Sequence, residues 1–337
     1  MKRITLLIPA YNEEEVLPLL IRRLDEVTSK LPNYAFEYLF VNDGSTDRTY
    51  QLLCEFHAAH PLVSVVNLSR NFGKESAMLA GFDYIKGDAV VILDADLQDP
   101  PELIPEMIEY WEQGYEDVYA KRKSREGESF FKKWSSERYY RILEKLSDVP
   151  VQKDTGDFRL LDRKCITALQ SIRESKRYTK GMFSWIGFRK KEILFDRDAR
   201  AAGDTKWNYL KLVNLALDGI TSATIAPLRF ASWSGIAISF LAFLYIIFII
   251  VRTLMYGDPV AGYPSMMAVI LFLGGVQLLS LGIIGEYLGK IFFETKKRPV
   301  YFLDVYLPAS ALEAKEKSYE EVVTTTSIQF ANSNSES

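Results

Sequence analysis

Cysteine and histidine are nearly missing from this chain. Two of each occur in 337 residues, Cys54, Cys165, His57 and His60. Both cysteines stand in apolar, helix-like surroundings, so a disulfide framework is not expected and a reducing compartment fits. The two histidines sit together near the end of a predicted helix, which argues against histidine-based catalysis and a zinc site. An excess of one charge is also missing. The net charge of −3 points to neither a nucleic-acid binder nor an acidic-tail protein. Met1-Lys2-Arg3 leads straight into a strand-like segment, so no secretory signal peptide is expected. No internal repeat is visible. What the chain has in quantity is apolar residues, 48 %, enough for one large globular domain and something smaller.

The first 120 residues alternate between two periodicities. Strands are predicted over 3–9, 37–41, 63–68 and 89–93, each a short apolar run closed by turn residues. Between them lie a helix over 13–29, with Val16, Leu20, Leu24 and Val27 on one face, and another over 74–85. Strands alternating with helices imply an α/β domain with a largely parallel sheet covered on both faces. Residues 121–125 are basic and read as a loop. Residues 129–146 then mix Phe130, Phe131, Trp134, Tyr139 and Tyr140 with Lys132, Lys133, Arg138 and Arg141. That mixture suits an amphipathic helix at a membrane interface, or one packed on the sheet.

Two apolar stretches, 231–251 and 264–285, contain no charged residue. Each exceeds the roughly 20 helical residues that cross a bilayer core. Their outer flanks carry Lys206, Lys211 and Arg229 on one side and Lys290, Lys296, Lys297 and Arg298 on the other. The positive-inside bias puts both flanks in the cytoplasm and the short connection outside. The expected organisation is a cytoplasmic domain over 1–205 with an amphipathic insertion near 128–147, and an interfacial helix over 206–229. Two transmembrane helices near 231–253 and 264–286 follow, then a cytoplasmic tail over 291–337 whose end is disordered. On this division, removing residues from 231 onward is expected to spare nucleotide binding.

The chemistry gathers where strands end. Asp94-Ala95-Asp96 closes the run Ala89–Leu93. Carboxylates at the carboxyl end of a parallel strand stand where open α/β sheets bind ligands. A pair one residue apart can share a hard divalent cation with a diphosphate, although Asp99 in the same turn also suits a helix cap. The first strand ends Pro9-Ala10-Tyr11-Asn12-Glu13 and the second Asn42-Asp43-Gly44-Ser45. Tyr11 could stack on a base, and Glu13 or Asp43 could accept hydrogen bonds from a base or ribose. Each motif alone is no better than a helix cap or turn; their common edge carries the reading. Arg70-Asn71-Phe72-Gly73-Lys74 follows the third strand, and Lys74 could meet a phosphate there. Asp157 is placed before a strand, as a base, an orienting group or a turn cap. Arg197, Arg200 and Lys206 form a cation-rich block that suits phosphate oxygens or anionic lipid heads.

Taken together, these motifs resemble family 2 glycosyltransferases of the GT-A fold. The resemblance runs over about residues 3–300 and includes Gly285-Glu286-Tyr287-Leu288-Gly289 near the end of the second apolar stretch. More narrowly, the chain resembles bacterial undecaprenyl-phosphate glucosyltransferases and dolichyl-phosphate mannose synthase. It lacks the Gln-x-x-Arg-Trp motif and the many spans of processive relatives, so a single addition is expected. The resemblance implies inverting transfer of a hexose, glucose from UDP-glucose above others, to polyprenyl phosphate at a bacterial inner membrane. GDP-mannose, UDP-GlcNAc or an amino-arabinose nucleotide as donor, or a membrane-anchored sensor without turnover, are the alternatives. It also implies that Pro9, Tyr11, Glu13, Asp43, Lys74, Asp94, Ala95 and Asp96 hold the nucleotide sugar. Asp94 and Asp96 would hold Mg²⁺ or Mn²⁺. Asp157 matches the candidate catalytic aspartate, with Asp96 and Arg200 beside it in the reaction, and Arg197, Arg200 and Lys206 match positions near the lipid phosphate. Gly274, Gly275 and Gly282 offer helix-packing surfaces for a possible homo-oligomer.

Overall fold

The computed structural model describes residues 1–122, 155–175, 177, 179–195, 224–256 and 262–311. These fall into two compact units. The first is built on an eight-stranded sheet. In chain order its elements are β1 (Lys2–Ala10), α1 (Leu17–Thr28), β2 (Tyr34–Asn42), α2 (Thr49–Ala59), β3 (Val63–Leu68), α3 (Lys74–Tyr84) and β4 (Ala89–Ile92). A 3-10 turn (Pro101–Leu103), α4 (Ile104–Glu112), β5 (Asp117–Arg122), β6 (Thr155–Asp162), α5 (Arg163–Ser171), α6 (Thr179–Trp185) and β7 (Lys190–Phe195) complete its main run. The second unit holds α7 (Ala226–Tyr256) and α8 (Tyr263–Thr295); β8 (Leu303–Leu307) returns to the first.

The strand order is β7-β5-β6-β4-β1-β2-β3-β8. The central strands β4, β1, β2 and β3 are parallel, while β6 pairs antiparallel with both β4 and β5, and β8 antiparallel with β3. The sheet is thus mixed but mostly parallel, with helices on it. Strands β3 and β4 are buried along their whole length, as expected where both sheet faces are covered. One apolar cluster joins β1, β2 and β3 to α1 and α4 through Leu6, Phe40, Leu20 and Ile108; another packs α3 and α5 on the opposite face through Leu7, Val66, Met78 and Ile166.

Several boundaries differ from expectation, each for a local reason. Helix α1 begins at Leu17 rather than Glu13, because Pro18 sits at its start and residues 13–16 form a turn. Lys121 and Arg122 lie in β5, where pairing with β6 and β7 overrides their charge. Asp157 lies inside β6, not before it. The largest difference is β8. The segment assigned to a tail pairs with β3, from Val65–Leu307 to Leu68–Leu303. The amphipathic segment 129–146 lies outside the described residues, as does the predicted interfacial helix up to residue 223; its last residues, 226–229, belong to α7.

Helices α7 and α8 have 31 and 33 residues. At about 1.5 Å per residue each outreaches a hydrocarbon core of roughly 30 Å. Ala226–Tyr245 and Phe272–Thr295 are long and apolar enough to cross a membrane, and neither window is buried in protein. Phe230, Trp233 and Leu278 are about 70 % exposed, at 69 %, 70 % and 72 %. Side chains this apolar need a hydrophobic medium around them. Tyr287 of α8 donates to the Thr224 carbonyl at 2.7 Å, ahead of α7. A Cβ at Gly274, Gly275 or Gly282 would meet no atom within 4 Å, so these glycines do not form a tight seam between the two helices.

Candidate active site

The register of the parallel strands brings four strand ends to one edge. Ala10 pairs with Asn42, Asn42 with Asn67, and Leu7 with Ile92. The residues that follow each strand therefore converge. They enclose a cleft of about 260 Å³ lined by Pro9, Ala10, Tyr11, Glu13, Asp43, Asn71, Gly73, Lys74, Ala77, Asp94, Ala95 and Asp96. All eight residues expected at the nucleotide sugar lie on this wall. Ala77 was not anticipated; it follows Lys74 by three positions on α3 and so shares its face. A larger hollow, about 450 Å³, lies at the opposite ends of β1 and β2, beside Arg3, Tyr34 and His60. None of the candidate site residues borders it.

Local chemistry shapes the cleft. Asp43 Oδ1 accepts from the Phe72 N–H at 2.7 Å and Oδ2 from the Gly73 N–H at 2.9 Å. Burial pushes the Asp43 carboxyl up, and those two N–H groups oppose the rise. Gly44 supplies the left-handed turn, φ +63°, beside the Arg70–Asn71 backbone. Asn12 and Leu97 also hold positive φ, 57° and 59°, although neither is glycine. Asn12 is compensated by its side chain, which accepts the Thr46 N–H at 2.8 Å. Leu97 is compensated by burial, at 4 % exposure. Asn12 stands between the cleft residues Tyr11 and Glu13, and Leu97 directly follows Asp96; strained backbone clusters at functional sites.

The acidic turn meets a lysine. Lys74 Nζ donates to Asp94 Oδ1 and to Asp157 Oδ2, each at 2.6 Å. Asp157 thus reaches the cleft wall through Lys74. Burial alone would lower the Lys74 pKa, but Asp94 and Asp157 outweigh it and hold the ammonium charged. Burial alone would raise the Asp157 pKa, but Lys74, Lys180 and Arg159 outweigh it and hold the carboxyl below its ordinary range. Asp157 Oδ1 is buried with no hydrogen-bond partner among the described residues. The β5–β6 register shifts between Tyr119 and Lys121, the stretch facing residues 156–158. Such bulges re-aim side chains beside sites. Two residues on, Arg159 is fully buried, paired with Asp117 at 3.1 Å and lying over the Phe183 ring at 3.7 Å. That anchor fixes β6, and sequence reading missed it, because a cation in a strand looks solvated.

Asp96 Oδ1 accepts the Gln98 N–H at 3.1 Å. Among the described residues no group of three or more His, Cys, Asp or Glu side chains forms a metal cage. Two carboxylates on a cleft wall still suit a magnesium-like ion, which takes one or two protein carboxylates and completes its shell with substrate phosphate and water. The donor set fits. Arg197, Arg200 and Lys206 lie outside the described residues.

Comparison with known proteins decides the family. The glycosyl transferase family 2 domain matches residues 5–169, and the GtrB C-terminal hairpin matches 226–291. A glycosyltransferase of Synechocystis sp. is 46 % identical over 92 % of this chain and 98 % of its own length. The chain belongs to glycosyl transferase family 2. A bactoprenol glucosyl transferase of Shigella phage SfX is 42 % identical, and a prophage bactoprenol glucosyl transferase homolog of Escherichia coli 40 %, each over 89 % of this chain and 98 % of its own length. This family 2 glycosyltransferase therefore has a GT-A catalytic sheet and a hairpin of two apolar helices, and it is a membrane-associated enzyme.

Proposed function

We propose that this glycosyltransferase moves a single hexose, glucose from UDP-glucose, to undecaprenyl phosphate with inversion, at the cytoplasmic face of a bacterial inner membrane. One observation carries the reading: the tyrosine, carboxylates and lysine expected to hold a nucleotide sugar line one cleft at the carboxyl edge of the sheet. The bactoprenol glucosyl transferases matched over nine-tenths of the chain support the acceptor class.

The physical problem is to bring two anions together. A phosphate acceptor is already deprotonated, so no strong base is required. Asp157, kept ionised by Lys74, is suited to orienting a reactant or to stabilising positive charge growing at the anomeric carbon. Asp94 and Asp96 would hold the divalent cation, Mg²⁺ or Mn²⁺. When bound, it supplies positive charge to the departing diphosphate. Tyr11, 44 % exposed on the cleft wall, offers a face for a base. Arg197, Arg200 and Lys206 would hold the lipid phosphate in line with the anomeric carbon.

The test is sugar transfer by full-length protein in bilayers, with radiolabelled UDP-glucose, GDP-mannose and UDP-GlcNAc offered in turn with undecaprenyl phosphate. Labelled glucosyl lipid from UDP-glucose is expected, and none from folded Asp96→Ala. Preference for another nucleotide sugar would replace the donor. Nucleotide binding without any glycolipid would leave a membrane-anchored sensor.

A further inference from the structure

Lys74 bridges two carboxylates of unlike character. Its ammonium is 2.6 Å from Asp94 Oδ1 and 2.6 Å from Asp157 Oδ2. The Asp157 side chain is 9 % exposed, whereas that of Asp94 is 27 % exposed and borders the cleft. The Lys74 side chain is itself 42 % exposed and borders the same cleft. The bridge therefore has a fixed end in β6 and a free end in the acidic turn.

Asp94 Oδ1 already has a cation against it. A second cation arriving alone would meet the ammonium at close range, and like charges in a partly desolvated cleft repel. A cation arriving with a diphosphate brings negative charge that offsets this. An ammonium has three donors, so it can turn from Asp94 to a phosphate oxygen while keeping its bond to Asp157.

We propose that Lys74 is a resident counter-ion that keeps Asp94 occupied until a metal–diphosphate displaces it, so that the divalent cation and the nucleotide bind as a coupled pair. This rests on the reading of Asp94 and Asp96 as divalent-cation ligands. The coupling is reciprocal: what nucleotide does for metal affinity, metal does for nucleotide affinity. Lys74 acts here as a positioning residue, through Asp94 and the leaving diphosphate.

The experiment is Mn²⁺ titration of full-length protein followed by the electron paramagnetic resonance signal of free Mn²⁺, with and without UDP. Wild type is compared with Lys74→Met and with Lys74→Met/Asp157→Asn; the double variant removes the buried carboxylate charge together with its partner and so tolerates the loss of Lys74. Without UDP, the double variant should bind Mn²⁺ about two- to fivefold more tightly than wild type, the fold-change one half-exposed ion pair can control. UDP should strengthen Mn²⁺ binding more in wild type than in the variant. Unchanged or weaker Mn²⁺ affinity in the double variant, with normal UDP-dependent binding by wild type, overturns this proposal alone. Wild type that binds no Mn²⁺ even with UDP overturns the ligand assignment along with it.

Discussion

Gly73 gives its backbone N–H to Asp43 Oδ2 at 2.9 Å, and this bond ties the loop after β3 to the loop after β2. Both Asp43 oxygens are engaged, since Phe72 takes the other. Asp43 therefore shapes the cleft before any ligand reaches it. Asp43→Asn puts an amide donor against one of those N–H donors. A buried, unsatisfied donor costs about 1–3 kcal/mol. We expect a lower melting temperature together with weaker UDP binding by calorimetry. A variant that matches wild type in both would reduce Asp43 to a bystander.

Strand β8 extends the same logic across the sequence. Asn67 Nδ2 donates to Asp304 at 2.8 Å, Asn42 Nδ2 to Asn67 at 2.7 Å, and Ser45 Oγ to Asn42 at 2.6 Å. Ser45 Oγ in turn accepts the Asn12 N–H at 3.0 Å. This polar chain runs from β8 to the turn that carries Tyr11. Phe302 adds a ring contact to Phe72 at 6.2 Å, and its carbonyl accepts the Ser69 N–H at 3.0 Å. Cutting the chain after Arg298 removes the Asp304 end of this polar chain and both Phe302 contacts. The apparent KM for the nucleotide sugar should then rise, by about tenfold for the loss of one or two net hydrogen bonds. That outcome would run against the expectation that everything from residue 231 onward is dispensable for nucleotide binding. An unaltered KM in the shortened protein would bear that expectation out.

What could be read from the sequence follows from distance along the chain. The ends of β1, β2 and β4 were legible because a short apolar run, a turn and a polar cluster are local patterns, and parallel topology then places them on one edge. The two apolar helices were legible from length and composition alone. Strand β8 was not, because its partner Asn67 stands 237 residues before Asp304 and five residues carry little pattern of their own. The Lys74 bridge was half legible. Lysine at the start of α3 places the ammonium on the ligand edge, but it takes the antiparallel β4–β6 pairing, with Ile92 opposite Arg159, to bring Asp157 to the same edge. Arg159 stayed hidden, since its partner Asp117 lies on a neighbouring strand.

Glu37 gives the fold a pH dependence. It is 1 % exposed in β2 and accepts from Thr5 Oγ1 at 3.0 Å and Ser64 Oγ at 2.7 Å. Burial pushes its carboxyl above the ordinary range, against those two bonds. Its folded-state pKa thus exceeds the unfolded value of about 4.3. The folded chain holds this proton more tightly, so the stabilisation is fully present below the unfolded pKa and is lost as pH rises through the folded one. Glu37→Gln removes the titration. Chemical denaturation in detergent micelles, from about pH 7 down to about pH 4, should show wild type gaining on the variant as pH falls. A constant gap between the two would mean that Glu37 does not titrate differently on folding.

Gly44 offers the sharpest separation of cleft geometry from general stability. A Cβ there would come within 2.3 Å of the Arg70 carbonyl carbon and 2.4 Å of the Asn71 nitrogen, both backbone atoms that cannot rotate away. The Arg70–Gly73 loop must then move, and it carries the N–H groups that hold Asp43. Gly114 serves as the control. Its φ is +87°, yet a Cβ there meets only the tip of Arg189 at 4.0 Å. Both Gly→Ala changes incur the left-handed backbone cost of about 1–2 kcal/mol, but only Gly44→Ala adds the crowding. We expect both to melt below wild type, with Gly44→Ala alone losing UDP affinity by about tenfold or more while remaining in the membrane fraction. Equal UDP affinity in the two variants would detach the Arg70–Gly73 loop from nucleotide binding.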